Sequence, residues 1–297
     1  MNWKKAGTYL IMKKGRHNLL SRRKGASMDI KRITSALLGF PLVVIILTFG
    51  NKYVVDICLA IIALLGMQEY FNAVSKESKP VRWIGYLFCI FIALIHIVPE
   101  NLPEEVIKPI LMLLLPTVML ILFCQVIFTN MKTNFRDIAY TLFGMAYVIG
   151  FITFIALMRG MENGRVLVWY AIIASWGTDT FAYLIGKRFG KHKLSKISPK
   201  KSVEGAIAGV VGATVIAMIY TFAMSKFGYN YSYLAIAGIT VLLSIIGQIG
   251  DFAASTIKRY VDVKDYSNLI PGHGGMLDRI DSLMFLAPFA YIFFSMM

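Results

Sequence analysis

The sequence predicts an all-α integral membrane protein of about nine transmembrane helices, with the N-terminus in the cytoplasm and the C-terminus on the outer side. Three observations carry this. The chain has 297 residues and is 57% hydrophobic, with a mean hydropathy of +0.65, and its apolar residues run in blocks, unlike the amphipathic pattern of a soluble domain. Its basic residues gather on one side of those blocks. Five of its 16 acidic residues (Asp251, Asp262, Asp265, Asp278 and Asp281) fall within 250–281, between two apolar segments.

The apolar blocks place spans at approximately 33–49, 54–71, 84–98, 107–128, 138–157, 166–186, 206–225, 231–250 and 282–297. The third and the last are short for a full crossing. With the N-terminus inside, cytoplasmic segments hold 26 of the 31 Lys and Arg, leaving Lys52, Lys108, Arg159, Arg165 and Lys226 outside with Glu100, Glu104 and Glu105. Loops this short obey the positive-inside rule, so 250–281 faces the cytoplasm of a cell (inner or plasma) membrane. The net charge of +15 is thereby explained by topology and anionic headgroups, and no nucleic-acid partner is expected. Cys58, Cys89 and Cys124 sit in apolar segments without metal-like spacing and read as buried hydrophobes.

Residues 1–27 are basic and lack an apolar run long enough for a signal peptide. They read as a disordered extension from an upstream start, with Met28 the natural beginning, or as an arm on anionic lipid. The first is favoured, and the membrane domain is then 28–297. Within the early spans, Pro41 and Pro116 are expected to kink helices. Asp56 reads as a solvated outer end, and His96 as an interfacial histidine. Glu69, near the cytoplasmic end of the second span, is a candidate to reach a site there.

The stretch 175–205, SWGTDTFAYLIGKRFGKHKLSKISPKKSVEG, is the first that carries chemistry. Asp179 falls about 10 Å below the cytoplasmic helix end, where a carboxylate is expensive unless paired, hydrated or bound to a cation. The alternative is an ion pair stapling two helices. Ser198, Lys200, Lys201, Ser202 and Glu204 then precede the seventh span, where cations and helix-start amides suit a phosphate.

The second is 250–281, GDFAASTIKRYVDVKDYSNLIPGHGGMLDRID. Its Pro271-Gly272-His273-Gly274-Gly275 run makes a loop whose backbone can approach a ligand. Asp278 and Asp281, at i and i+3, share a helix face and can hold a cation. Asp251 ends one span as these two begin the next. Carboxylates, bases and a glycine-rich turn together point to metal-assisted chemistry on phosphates, although Asp at a first helical turn is also a simple cap.

The run from Ser255 to Asp281, with Lys258, Arg259, Lys264, Asp265, Ser267, Ile270, Pro271, His273, Gly274, Gly275, Met276, Asp278 and Arg279 at fixed spacing, resembles the signature of the phosphatidate cytidylyltransferases, or CDP-diacylglycerol synthases. The W-G-x-D-T-x-A-Y-x-x-G run at 176–186 and the S-P-K-K-S-x-E-G run at 198–205 resemble further motifs of the same family. The resemblance implies a helical membrane enzyme, commonly a homodimer in the lipid bilayer, that makes CDP-diacylglycerol from CTP and phosphatidic acid. It also implies Mg2+, with a monovalent cation such as K+ nearby.

In that reaction a phosphate oxygen attacks the α-phosphorus of CTP. A phosphomonoester has its second pKa at about 6, so the nucleophile is already anionic and repulsion between polyanions is the main obstacle. Asp251, Asp278, Asp281 and Asp179 are the expected metal ligands. Lys258, Arg259, Lys264 and Arg279 are expected on phosphates, with His273 at a phosphate or proton and Asp265 holding a base or the metal. Gly274 and Gly275 complete the phosphate contacts.

A CDP-alcohol phosphotransferase would need D-G-x2-A-R, which is absent. A cytidylyltransferase or CTP-dependent kinase acting on another lipid is the nearer alternative. A transporter is disfavoured because no repeat is found and the polar residues gather at one face.

Overall fold

The structure, a computed structural model, describes residues 37, 39–97, 104–195 and 197–297. The expectations for residues 1–27 and for the His96 side chain lie outside them. Helix runs through each apolar block: α1 Gly39–Phe49, α2 Lys52–Val74, α3 Arg82–Ile97, α4 Glu104–Phe128, α5 Phe135–Gly160, α6 from Gly164 to Phe189, α7 Val203–Ser225, α8 Tyr233–Tyr260 and α9 Leu277–Ser295. Among the described residues, five of these are long and apolar enough to cross a membrane: α2, Pro109–Phe128 of α4, α5, α7 and α8. No strand is present among them, only two isolated bridges.

Local chemistry sets the helix starts. Asn51 accepts from Val54 N at 2.9 Å, and Asn134 with Asp137 forms a reciprocal capping box at α5. Ser202 and Ser232 cap α7 and α8. Asp137 also accepts from Lys79 N at 2.6 Å, and Thr141 Oγ1 from Val81 N at 2.8 Å, so α5 carries the α2–α3 turn on its end.

Among the described residues, two helices contain a π-helical turn. In α5 it spans Met145–Gly150 and in α6 Ile173–Gly177. The latter is surrounded by α7, α8 and α9, and it immediately precedes Thr178 and Asp179. Such turns re-aim side chains and recur at functional sites.

α9 is the wall shared by both halves of the core. Leu277 and Met284 belong to a cluster built on α2, α3 and α5. Leu283, Leu286, Ala287 and Ala290 belong to a second cluster with α6, α7 and α8. α4 lies at the perimeter with Met112, Leu113 and Leu115 exposed, as expected of a helix facing hydrocarbon. α7 lies close on α6 because Gly205 and Gly209 bring backbones together; a Cβ on Gly205 would stand 2.7 Å from Ala182 O and one on Gly209 2.8 Å from Thr178 O.

Candidate active site

The loop between α8 and α9 is clamped from a third helix. Glu69 Oε1 accepts from Ser267 Oγ at 2.6 Å and from Met276 N at 2.8 Å, and its Oε2 accepts from Leu277 N at 2.9 Å. A carboxylate thus satisfies the first amides of α9, where the helix dipole also favours negative charge. Glu69 is only 4% exposed. Gly275 is what lets it approach, since a Cβ there would lie 2.5 Å from Glu69 Oε2. Gly272 and Gly274 adopt φ of 79° and 87°, and the turn closes through Ile270 N to Gly274 O at 2.9 Å. Sequence named Glu69 as able to reach this stretch but could not name its partners, which lie 198 to 208 residues away.

The second fixture is Lys258. Its Nζ lies 2.7 Å from Asp278 Oδ1 and 4.0 Å from Asp281 Oδ2, and 5.4 Å from the Tyr266 ring centroid. The other Asp278 oxygen accepts from Tyr266 N at 2.8 Å and Gly275 N at 2.9 Å. The shared face of Asp278 and Asp281 therefore meets the ammonium of Lys258. Burial pushes the Tyr266 hydroxyl well above the usual phenol range, so it stays protonated beside these charges.

The two informative stretches of sequence meet at Lys201 and Asp251, which form an ion pair. The Lys201 ammonium also stands 4.5 Å from the Phe252 ring centroid. Below this pair, Ser282 Oγ donates to Asp179 Oδ2 at 3.2 Å and contacts Ser175 Oγ at 2.8 Å. Ser282 N donates to Asp281 Oδ1 at 2.8 Å. Asp179 and Asp281 thus share Ser282, and a Cβ on Gly250, the residue before Asp251, would lie 3.3 Å from Asp281 O, so α6, α8 and α9 each bring one carboxylate to a common region. Ser175 and Ser282 were not anticipated from sequence, since a buried hydroxyl in an apolar helix carries no spacing signal.

The remaining expected residues surround this centre. Leu194 N donates to Lys201 O and Val203 N to His192 O, both at 2.9 Å, pairing 192–194 with 201–203 as a small hairpin. Ser202 Oγ accepts from Gly205 N at 3.1 Å. Glu204 turns back to Lys191 N at 3.1 Å and to His192 Nδ1 at 2.6 Å, so it fastens the hairpin to α7. Ser198 O accepts from Lys201 N at 3.1 Å, which aims the backbone toward Asp251. Lys200, Arg259, Lys264, Asp265 and Arg279 are exposed, and His273 is partly so. Arg259 donates to Val263 O at 3.3 Å. Lys200, Lys264, Asp265 and Arg279 make no ion pair among the described residues, so Asp265 does not hold Lys264 or Arg259 there.

Among the described residues no three carboxylate, histidine or cysteine side chains converge tightly enough to hold a metal unaided. The donor chemistry nonetheless fits magnesium, which takes one or two carboxylates and completes its shell with water and substrate phosphates. Asp179, Asp251 and Asp281 are the carboxylates that would offer such oxygens. Asp278 is already met by Lys258 and two amides.

A model of the cytidylyltransferase family matches residues 30–297. A phosphatidate cytidylyltransferase of Bacillus subtilis (strain 168) is 43% identical over 156 residues, 48% of this chain and 57% of that protein. One from Staphylococcus haemolyticus (strain JCSC1435) is 34% identical over 77% of this chain and 85% of its own length. One from Staphylococcus aureus (strain COL) is 32% identical over 88% and 96% respectively. The matched region includes both halves of the core, the Glu69 clamp and the meeting of Lys201 with Asp251. The chain belongs to the cytidylyltransferase family.

Proposed function

We propose that this site transfers a cytidylyl group from CTP to phosphatidic acid, giving CDP-diacylglycerol and pyrophosphate for phospholipid synthesis. The observation that carries it is the meeting of the two motif stretches. Lys201 on the α6–α7 hairpin reaches Asp251 on α8, beside Lys258, Asp278 and Asp281 where α8 passes into α9. The relatives named phosphatidate cytidylyltransferase support the substrates.

A phosphatidate phosphate oxygen forms a bond to the α-phosphorus of CTP, and the bond from that phosphorus to the oxygen bridging to the β-phosphate breaks. Pyrophosphate leaves with the electron pair. The nucleophile is anionic near neutral pH, so fixed cations, more than a general base, decide the rate. Lys201 and Lys258 are held in place by Asp251 and Asp278. Arg259, Lys264 and Arg279, exposed around them, meet phosphate arriving from water. Two of Asp179, Asp251 and Asp281 would hold magnesium with water and substrate phosphate completing its shell, and the ion would supply further charge neutralisation between the two substrates.

We place this face in the cytoplasm because 26 of the 31 basic residues fall on its side, and CTP is available there. The lipid keeps its tails in the bilayer and its phosphate at the interface. Purified protein in detergent–lipid micelles, given CTP, phosphatidic acid and magnesium, is expected to form CDP-diacylglycerol. Well-folded protein that forms none would sink the substrate assignment.

A further inference from the structure

Beside the Lys201–Asp251 pair, a groove of about 650 Å³ runs between α7 and α8. Its walls are almost wholly apolar, including Ile197, Ala206, Val210, Ile245 and Phe252, with Gln248 donating to Ala206 O at 3.3 Å. From Phe252 to Ile245 it descends about 10 Å along α8, from the cytoplasmic end toward mid-membrane. Above it lies a second cleft bordered by Pro199, Thr256, Arg259 and Tyr260, and Ile197 lines both. The whole path is therefore amphiphilic. It is polar above, where Lys201, paired with Asp251, stands over Phe252 and the exposed Arg259 borders the upper cleft, and it is apolar below.

We propose that this groove carries one acyl chain of the lipid substrate, with the lipid phosphate at its Lys201 end. The inference rests on the proposed reaction and adds where its lipid lies. The exposed Arg259 at the upper cleft, with Lys201 beside it, matches an anionic headgroup. Lys201 both pairs with Asp251 and stands over Phe252, so the groove ends beside the carboxylate site. A second copy of the chain would cover apolar walls equally well but brings no identified anion to the exposed Arg259.

The test uses phosphatidate with a photoreactive diazirine midway along one chain, added to the full-length protein in phosphatidylcholine nanodiscs. Cross-links are expected on α7 and α8 around Val210 and Ile245. They should be displaced by excess plain phosphatidate and not by extra phosphatidylcholine. Ile245→Trp and, separately, Val210→Phe should remove them. Either variant should raise the KM for dioleoyl phosphatidate about tenfold, the scale of a misfit in an apolar pocket. The KM for CTP and the turnover of dihexanoyl phosphatidate, too short to reach the wedge, should stay unchanged and report folding. Cross-links that are not displaced, that spread equally over α4, or that join two copies of the chain would overturn the groove. Displaceable cross-links without CDP-diacylglycerol would overturn the reaction and leave the groove standing. Product formed without them would do the reverse.

Discussion

Lys258 Nζ sits 2.7 Å from Asp278 Oδ1 and ties the end of α8 to the start of α9, 20 residues further on. Their side chains are 11% and 2% exposed, and Asp278 is also the acceptor for two loop amides. This pair fixes the geometry of the loop that carries His273, Gly274 and Gly275.

Removing one member of such a buried pair costs about 3–5 kcal/mol because the other charge is stranded. Lys258→Met and Asp278→Asn are each expected to lower the thermal unfolding midpoint in detergent markedly. The double variant should lose less than the sum of the two. Additive losses would mean that the contact does not form.

Glu69 acts at a distance from the reacting atoms, as a positioning residue. Glu69→Gln turns an acceptor into a donor facing the amides of Met276 and Leu277. Each charged hydrogen bond lost is worth about 1.5–3 kcal/mol, so turnover should fall tenfold or more. Because loop placement governs both substrates, kcat and the KM for CTP should change together. A variant with unaltered kinetics would show that α9 starts correctly without this clamp.

The glycines make a separate prediction. Gly275→Ala would push a Cβ to 2.5 Å from Glu69, and Gly274→Ala would strain a φ of 87°. Both should abolish activity. Gly238→Ala, in α8 where a Cβ meets nothing within 4 Å, should be tolerated and add about 0.5–1 kcal/mol of helix stability. Unfolding and turnover measured on all three variants check this.

Metal dependence divides the carboxylates. EDTA is expected to abolish turnover and added magnesium to restore it. Asp281→Asn should raise the magnesium concentration needed for half-maximal rate by about tenfold, as loss of one carboxylate ligand implies. An unchanged magnesium curve in that variant would remove Asp281 from the metal site.

Much of this arrangement was legible in the sequence, for identifiable reasons. Hydropathy blocks gave the helices, and the two polar stretches gave almost every residue near the centre. Spacing showed that Asp278 and Asp281 share a face, but not what stands opposite. The cation that meets them is Lys258 on the preceding helix, the same residue expected from the sequence on a phosphate. The pairing of Lys201 with Asp251 spans 50 residues, and periodicity holds no information about which helices become neighbours. The π turn at Ile173–Gly177 was equally invisible, because one extra residue in a buried helix leaves the apolar pattern intact. Asp56 departs from its reading as a solvated end: it is 3% exposed, and neither carboxylate oxygen has a hydrogen-bond partner among the described residues.

The most direct measurement follows the phosphorus. Purified protein with magnesium and phosphatidic acid would receive CTP labelled at the α-phosphate in one reaction and at the γ-phosphate in another. For cytidylyl transfer, the α label enters the lipid product and the γ label leaves as pyrophosphate. Lipid carrying the γ label would instead identify a CTP-dependent kinase and contradict the reaction assigned to this site.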